Sequence, residues 1–535
     1  MMKANSDIMV NNPVLKGRIV FFSVLCVYLA NHILMLLSNG VWWDDWTVWN
    51  VTPQKLYNYL GPGDANEVFQ YAYIKLITDL FPLNTQVYIF HIISFLINGI
   101  SLICCWFIVK KITSDLGFTA VSSLLMASYG LDTTSMLIIC SHYTFANCLF
   151  LIGLLCLVYE AYNHKGYLLY LTGIAWLCSL LVWRSAALLM PLVLLLLAFA
   201  KNEGAWQTVR GWIDSIKYIF VHYWQIIIIV MLFVPIYLLY MQPSGDHGEY
   251  YMPQIKNIIT SPVTSFVSAI LAIFLAIGTS IKSLADSGSL TITCIIGVCV
   301  PIVYWFSKRY ITENNEEERS YNSLAGMAFL YLMVSMILPL FIYGFLEVVD
   351  ISEYKSRLLT LGAFPISVII TYILYFLPKK MRNIAFSLIM VGMATYTIYT
   401  YIDYEYAWNK TEIIADYMRQ HPELDGKDVY VIDDASEANE NRSNLRFYAY
   451  EGIARMAYGA DTKTRMESKY YEVYDKSFKS DYVMHISSYF PIKRGDKCEL
   501  VLSKRLFKRK YQRLKSAMLH VEQEKCELTT ERVYE

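Results

Sequence analysis

"RIVFFSVLCVYLANHILMLLSNGVWWDDWTVWN", residues 18–50, opens with an apolar run that carries no charge after Arg18 and closes on two adjacent acids among four tryptophans. A helix across a bilayer needs about 20 mostly apolar residues, and this run is long enough. Tryptophan rings favour the depth at which membrane meets water. We therefore predict a first membrane span, retained because no cleavage site follows the run, and an interfacial tryptophan belt after it.

The composition of the chain extends this prediction to most of its length. Of its 535 residues 56% are hydrophobic and 17% are charged, whereas soluble domains carry about 25% charged residues. The formal net charge is zero, which gives no indication of a nucleic-acid partner. We predict a mainly α fold, a polytopic transmembrane bundle of about 11–12 helices. The apolar runs lie near 18–38, 86–109, 116–131, 144–159, 166–183, 185–200, 218–241, 261–281, 287–307, 321–344, 358–378 and 384–402.

Lysine and arginine in short loops predict the orientation, because such residues accumulate on the cytoplasmic side. The cytoplasmic markers are Lys110–Lys111, Lys201, Lys308–Arg309 and "KKMR" at 379–382. They place on the far side the first outer loop 40–85, residues 132–143, Arg184, residues 242–256, and residues 353–357. With residues 242–256 outside and Lys308 inside, an odd number of membrane crossings must separate them, yet two apolar runs lie between them. We expect one of them to be re-entrant or interfacial, and the C-terminal tail to lie outside.

The non-membrane parts fall in two places. The first outer loop, 40–85, contains a Gly-Pro-Gly break followed by a helical pattern, which predicts a helix on the membrane surface. The residues that recur at three- and four-residue spacing are Val68, Tyr71, Ile74, Lys75 and Thr78. After residue 402 the composition changes, with a strand predicted at 429–432 and a helix within 443–460. The chain thus divides into a transmembrane domain, 1–402, and a small α+β soluble domain, 403–535.

The soluble tail has two further features. "SKRLFKRKYQRLK", residues 503–515, is basic and predicts either contact with anionic headgroups or a solvated helix face. Cys498 and Cys526 can pair if the tail lies in an oxidising compartment. The other cysteines lie in or beside apolar runs and are expected to be small buried hydrophobes, since no paired CxxC spacing occurs.

The acids of the opening stretch, Asp44 and Asp45, are the first candidates for chemistry. An acid beside a bilayer is desolvated, and adjacent carboxylates repel each other, so one of the two pKa values should be raised. Such a carboxylate can act as a general base on a hydroxyl group. The alternative is a solvated helix end within the tryptophan belt.

Two other outer-side groups are candidates for binding. Asp132 and His142 bracket a short turn on the side of Asp44 and are predicted to contact substrate; the alternatives are a loop acid and a backbone-satisfied histidine. Arg184 is alone among apolar residues, which marks a functional site by default and suits a lipid phosphate. Its alternative is snorkelling to the nearby interface.

The stretch "DISEYKSRLLTLGAFP", residues 350–365, carries the fourth group. Lys355 and Arg357 stand at a predicted helix start, where cations oppose the helix dipole unless an anion is present. Glu353 beside them is a predicted substrate contact. A phosphate would supply that anion, with Arg357 binding it through two parallel hydrogen bonds. The alternative is a local ion pair between Glu353 and Arg357.

In this order the four groups resemble the C-type glycosyltransferase superfamily of integral membrane enzymes. The similar parts are "WWDDW" with the helix after it, "WRSAALLMPLVLLL" and "KSRLLTLGAFP", and the likeness in layout spans roughly residues 15–402. The resemblance implies an inverting transfer of a sugar from a polyprenyl-phosphate donor to a cell-envelope glycan or lipid-linked acceptor, on the outer face of the cell membrane. Asp44 or Asp45 would be the base. Family members often carry a second outer acidic motif, and only Asp132 is available here, so a divalent cation, Mg²⁺ or Mn²⁺, is possible and not required.

Three other functions are alternatives to sugar transfer. A polysaccharide polymerase or ligase would need more arginines in its outer loops than this chain has. A transporter or flippase would be expected to carry paired ionisable groups near the midplane and internal repeats, and neither is found in the sequence. A non-catalytic assembly protein is the remaining alternative.

Overall fold

The computed structural model of the chain describes residues 13–60, 65–130, 134, 136–182, 189–201, 208–240, 262–285, 290–312, 360, 362–440, 444–468 and 478–528. The described residues are mostly helical, with a small four-stranded sheet near the C-terminus. This confirms the predicted coarse class, a helical protein with a small α+β unit at its end.

Eighteen helices, numbered in chain order, account for most of the described residues. Up to residue 240 they are α1 (Pro13–Leu37), α2 (Pro53–Leu60), α3 (Ala65–Leu80), α4 (Leu83–Thr113), α5 (Leu116–Ala127), α6 (Ser141–Asn163), α7 (Tyr167–Val182), α8 (Leu189–Lys201), α9 (Val209–His222), α10 (Trp224–Met231) and α11 (Phe233–Tyr240). The later ones are α12 (Pro262–Ala285), α13 (Leu290–Phe306), α14 (Ala363–Tyr375), α15 (Lys379–Gln420), α16 (Phe447–Tyr458), α17 (Arg494–Leu506) and α18 (Lys508–Ser516). The strands are β1 (Asp428–Asp433), β2 (Arg465–Ser468), β3 (Ser480–Ser488) and β4 (Leu519–Leu528).

Several of these helices are long and apolar enough to cross a membrane, which indicates a membrane protein. Among the described residues five pass on length and composition, or six if α9 and the helices after it form one bent span. Four more apolar helices are shorter, at 10–17 residues. The predicted number of about 11–12 spans therefore stays a prediction, as does the run at 321–344, which lies outside the described residues.

The single helix predicted at 218–241 is wrong. The chain bends by 77° between Val209–His222 and Trp224–Ile236. The bend falls where composition changes, because α9 carries Arg210, Asp214 and Lys217, whereas α10 has no charged residue. A segment with charges on one face favours the membrane surface, and an apolar one favours the interior.

Helix α15 is 42 residues long and joins the apolar helices to the C-terminal α+β part. Its apolar first half packs against α12 and α13, with Gly392 lying against the backbone of Ser280. Its second half carries acidic and basic side chains, and several of its aromatic side chains lie in the hydrophobic core of the C-terminal part. The predicted domain boundary at residue 402 lies inside this helix, so the two parts share a continuous helical element.

The sheet has the strand order β2-β1-β3-β4. Strand β1 pairs in parallel with β2 and β3, and β4 runs antiparallel to β3. Strand β1 contains the predicted strand 429–432, and α16 lies within the predicted helix 443–460, so both predictions are confirmed. At the end of β1 the chain continues through residues 434–440 towards the first outer loop, where Glu440 Oε1 accepts a hydrogen bond from the Trp43 amide at 3.2 Å.

Helix α3 confirms that a helix follows the Gly-Pro-Gly break, and its position on the membrane surface stays a prediction. The buried face differs from the predicted one. Gln70, Ile74 and Ile77 are buried, whereas Val68 is exposed. Spacings of four and three residues put these buried side chains on one face, and α3 packs with that face on α4, α6 and α7.

The basic stretch 503–515 forms the end of α17 and most of α18. Lys504 and Arg505 lie 3.6 and 3.7 Å from the buried carboxylate of Glu405, and Arg505 also donates to the Leu37 carbonyl at the end of α1. Part of the positive charge of this basic stretch is therefore paired with Glu405. In α17, Cys498 is buried with a free thiol. The Cys526 side chain lies outside the described part of the chain, so the possible pairing stays a prediction.

Candidate functional site

The acid pair lies in a short 3₁₀ helix, Trp43–Thr47, which we call the acid turn. Non-glycine residues with left-handed backbone bound it, Trp43 at φ 49° and Asn50 at φ 50°. Such residues cost free energy and persist where the surroundings hold them. Contacts from the C-terminal α+β part do so here, since Glu440 accepts from the Trp43 amide and the Asn50 side chain donates to the Arg455 carbonyl.

The predicted interfacial tryptophan belt is wrong. Trp42, Trp46 and Trp49 are buried in one hydrophobic core with residues of α15, α16 and the sheet, and Trp43 packs at its edge. Trp42 Nε1 donates to the Tyr404 carbonyl at 2.9 Å, and the Trp46 ring stacks on Trp408. The indoles therefore join the segment after α1 to the C-terminal α+β part.

Within the acid turn, Asp45 is fully buried. Its Oδ1 accepts a hydrogen bond from the Ile139 amide at 2.8 Å, which ties the turn to the segment before α6. Burial raises the pKa of Asp45 to about 8, helped by the charge of Asp44 and opposed by the nearby amides. One raised pKa in the pair agrees with the sequence-based expectation, but the raised group faces the protein interior.

We expect Asp45→Asn to remove a pH dependence of folding. Burial raises the pKa of Asp45 from 3.8 to about 8. Between these two pH values the carboxyl is therefore protonated in the folded chain and ionised in the unfolded chain. The free energy of unfolding should therefore fall as pH rises through this window, by up to about 1.4 kcal/mol per pH unit, and level off above it. Asn keeps an oxygen for the Ile139 amide and has no proton to lose.

The measurement is denaturant unfolding of the detergent-solubilised protein from pH 5 to 9. The variant should show a flatter profile and exceed the parent in stability at pH 9. Asp79→Asn, at an exposed site, is the control and should leave the profile unchanged. Parallel profiles for the parent and Asp45→Asn would contradict the assignment.

Asp44 occupies a different environment from its neighbour. It is half-buried, and its Oδ1 accepts a hydrogen bond from the Tyr448 hydroxyl at the start of α16. Its backbone carbonyl accepts from the Thr47 hydroxyl at 2.6 Å. Burial, and then the charge of Asp44, raise the pKa of Tyr448, so the phenol remains a donor. Of the two acids, Asp44 is the one a substrate can approach.

Helix α16 is pressed closely against the acid turn. A Cβ on Gly452 would lie 2.2 Å from the Trp46 ring, and Arg455 donates to the Trp46 carbonyl. Tyr448, Gly452 and Arg455 recur at spacings of four and three residues, so one face of α16 meets the turn. The position of Tyr448 at Asp44 therefore depends on a glycine one turn along the helix.

Gly452→Ala should separate α16 from the acid turn. The added methyl meets the buried Trp46 indole, which is stacked on Trp408 and has little room to move. Overpacking of this kind costs about 1–3 kcal/mol. We expect a matching loss in the free energy of unfolding, because the helix must move away from the turn. Gly166→Ala, where a Cβ meets nothing within 4 Å, is the matched control. Wild-type stability in Gly452→Ala would contradict the close packing.

His142 lies near the acid turn but is buried at the start of α6. Its Nδ1 is 2.9 Å from the Ile139 carbonyl oxygen and also contacts the Gln70 side chain, and its ring packs on Tyr143. Ile139 thus contacts both His142 and Asp45. The geometry favours the backbone-satisfied alternative for His142 over its predicted contact with substrate.

The other predicted site residues lie outside the described residues. They are Asp132, Arg184, Glu353, Lys355 and Arg357, so the predicted phosphate site stays a prediction. Within the described ranges, no three His, Cys, Asp or Glu side chains come together in a group able to hold a metal ion. Asp132, the second acid of the predicted site, is not among those ranges, so the possible divalent cation stays a prediction.

Sequence reasoning missed the residues that complete the site. Tyr448 and Glu440 reach the acid turn from the soluble domain, about 400 positions along the chain. No local pattern marks either of them. The one available signal was the tryptophans, which could equally have been interpreted as a packing surface for another domain.

No protein-family model matches this chain, and no curated protein matches it significantly.

Proposed function

We propose that the protein is a membrane glycosyltransferase that moves a sugar from a polyprenyl-phosphate donor to a cell-envelope glycan or lipid-linked acceptor. The observation that carries the proposal is the environment of Asp44, a reachable carboxylate oriented by the Tyr448 hydroxyl. It stands seven residues after α1, and Trp42, two residues before it, donates to the Tyr404 carbonyl just beyond the apolar half of α15. A lipid-linked phosphate would be presented at that depth.

In the proposed reaction Asp44 takes the proton from an acceptor hydroxyl while the oxygen of that hydroxyl attacks the anomeric carbon of the donor sugar. A new C–O bond forms, the bond from that carbon to the phosphate oxygen breaks, and polyprenyl phosphate leaves with the electron pair. Inversion at the anomeric carbon follows from the family resemblance. Lys355, Arg357 and Arg184 are the proposed phosphate ligands, and stabilising the leaving group would be their contribution to the rate.

The test uses the full-length protein in nanodiscs with polyprenyl phosphates carrying a single hexose or pentose. Release of polyprenyl phosphate with transfer of the sugar to a glycan acceptor supports the proposal. Activity confined to diphosphate-linked oligosaccharides would indicate a polymerase or ligase instead. Movement of the intact lipid across a vesicle membrane without cleavage would indicate a transporter.

The proposal also places the soluble part on the outer face of the cell membrane. The contacts of Asp44 with Tyr448 and of Trp43 with Glu440 put the acid turn and the soluble part on one side. In a variant with its native cysteines replaced by serine, Lys55→Cys and Lys508→Cys should react with an impermeant maleimide in intact cells. Lys165→Cys, in the turn between α6 and α7, should be protected. The reverse labelling pattern would invert the orientation.

A further inference from the structure

A polar cavity of about 330 Å³ opens between the start of α2 and the end of α16. It is lined by Thr52 and Lys55 of the first outer loop, by Glu451 and Arg455 of α16, and by residues 460–465. Its volume is near the lower end of the range for small-molecule sites, which suits one or two sugar units. Its walls come from the outer loop and the soluble part, and none of its lining residues belongs to an apolar span.

The lining of this cavity is predominantly cationic. Lys55, Arg455, Lys463 and Arg465 face two acids, Glu451 and Asp461. Arg465 is already committed, because its Nε donates to Asp428 at 2.8 Å. Both lysines are exposed, Lys55 on α2 and Lys463 in the segment before β2. A negatively charged group would therefore be attracted into it, and the attraction would weaken with salt.

Arg455 is the most buried of the four cations that line the cavity, and its side chain is only 6% exposed. One terminal nitrogen donates to the Trp46 carbonyl, while Nε has no hydrogen-bond partner among the described residues. A buried donor without a partner costs free energy, and the planar guanidinium suits an oxyanion. Arg455 lines the cavity, so a carboxylate or phosphate bound there would be attracted by the positive charge of its guanidinium.

The cavity lies beside the acid turn. Tyr448, which binds Asp44, and Arg455 are seven residues apart on α16, about 10 Å along the helix axis. The Arg455 guanidinium also holds the carbonyl of Trp46, inside the acid turn itself. A ligand at Arg455 would therefore extend towards Asp44 along one helix face.

We propose that this cavity binds an oxyanion-bearing sugar of the acceptor, a uronate or a sugar phosphate. The biological role rests on the proposed glycosyl transfer; the binding itself does not. A lipid-linked donor enters from the membrane, whereas the cavity is walled by the soluble part, so the acceptor is the substrate that fits it. The carboxylate or phosphate would bind Arg455 with the two lysines, and the next sugar would place its hydroxyl at Asp44.

The test is calorimetric titration of the full-length protein in nanodiscs with methyl glucuronide, glucose 6-phosphate, neutral methyl glucoside and inorganic phosphate. At least one charged sugar should bind, more tightly than methyl glucoside and than inorganic phosphate, and the tighter of the two identifies the oxyanion. Lys55→Gln and Lys463→Gln should each weaken binding up to about 5-fold, the range for exposed ion pairs. Arg455→Lys should weaken it more, since the bidentate contact is lost. Lys508→Gln, exposed on α18, is the control.

Equal binding of the neutral and charged sugars would overturn the proposal, as would undiminished binding in the double variant Lys55→Gln, Lys463→Gln. Inorganic phosphate binding as tightly as the sugars would reduce the cavity to an anion site and also overturn it. A charged sugar that binds while no donor is cleaved supports the cavity and rejects the proposed transfer. Transfer that proceeds unchanged in the double variant supports the enzyme and rejects the cavity.

Discussion

Asp44→Asn is expected to lower the turnover of the proposed transferase by roughly 10²–10⁴, the contribution of a general base. Asn has the same shape and still accepts the hydrogen bond from Tyr448, but it cannot take a proton from the acceptor hydroxyl. Folding and donor binding should remain close to normal. The measurement is single-turnover sugar transfer by the purified variant, with donor binding determined separately.

Asp45→Asn is the matched control for this substitution. Burial raises the pKa of Asp45 to about 8, so at neutral pH the parent side chain is mostly protonated and Asn resembles it closely. Turnover should therefore stay near normal at pH 7. Equal large losses in both variants that Mn²⁺ or Mg²⁺ partly reverses would indicate a metal site. Normal transfer in Asp44→Asn would reject the catalytic role of the acid turn.

The helices were largely predictable because a membrane imposes a simple rule on the sequence. Apolar runs such as 86–109 and 144–159 lie inside the observed helices α4 and α6, since a chain in lipid must satisfy its own backbone hydrogen bonds. Helix ends were less predictable. Helix α4 extends to Thr113, because its charged last turn continues the helix beyond the apolar residues.

The roles of individual site residues were less predictable, because they depend on contacts between distant parts of the chain. Asp44 and Asp45 are equivalent in the sequence, yet one accepts from Tyr448 and the other from the Ile139 amide. The tryptophans suited a membrane interface in composition, and only the presence of α16 and the sheet shows why they are buried. Side-chain burial between two domains leaves no periodic signal in either of them.

The largest loss of stability should come from Asp433→Ala. Asp433 ends β1 and is buried with Lys410 of α15, whose Nζ lies 2.6 Å from Oδ2. The carboxylate also accepts from the Tyr450 hydroxyl and the Ala435 amide. Removing it leaves a buried ammonium without its counter-charge, which costs about 3–5 kcal/mol. Domains are stable by only about 5–15 kcal/mol, so denaturant unfolding should show a large shift.

The ion pair is also connected to the acid turn, because the chain after Asp433 leads to Glu440, whose carboxylate accepts a hydrogen bond from the Trp43 amide. In Asp433→Ala the turnover of the folded fraction should therefore fall as well, although Asp433 touches no substrate. The double variant Lys410→Met, Asp433→Leu removes both charges and should recover much of the stability. Glu499→Ala breaks an exposed pair with Lys510 and should cost less than about 1 kcal/mol. If Asp433→Ala unfolds like the parent, the pair does not hold β1 to α15, and the link from the sheet to the acid turn must run through the packing of Trp46 on Gly452 instead.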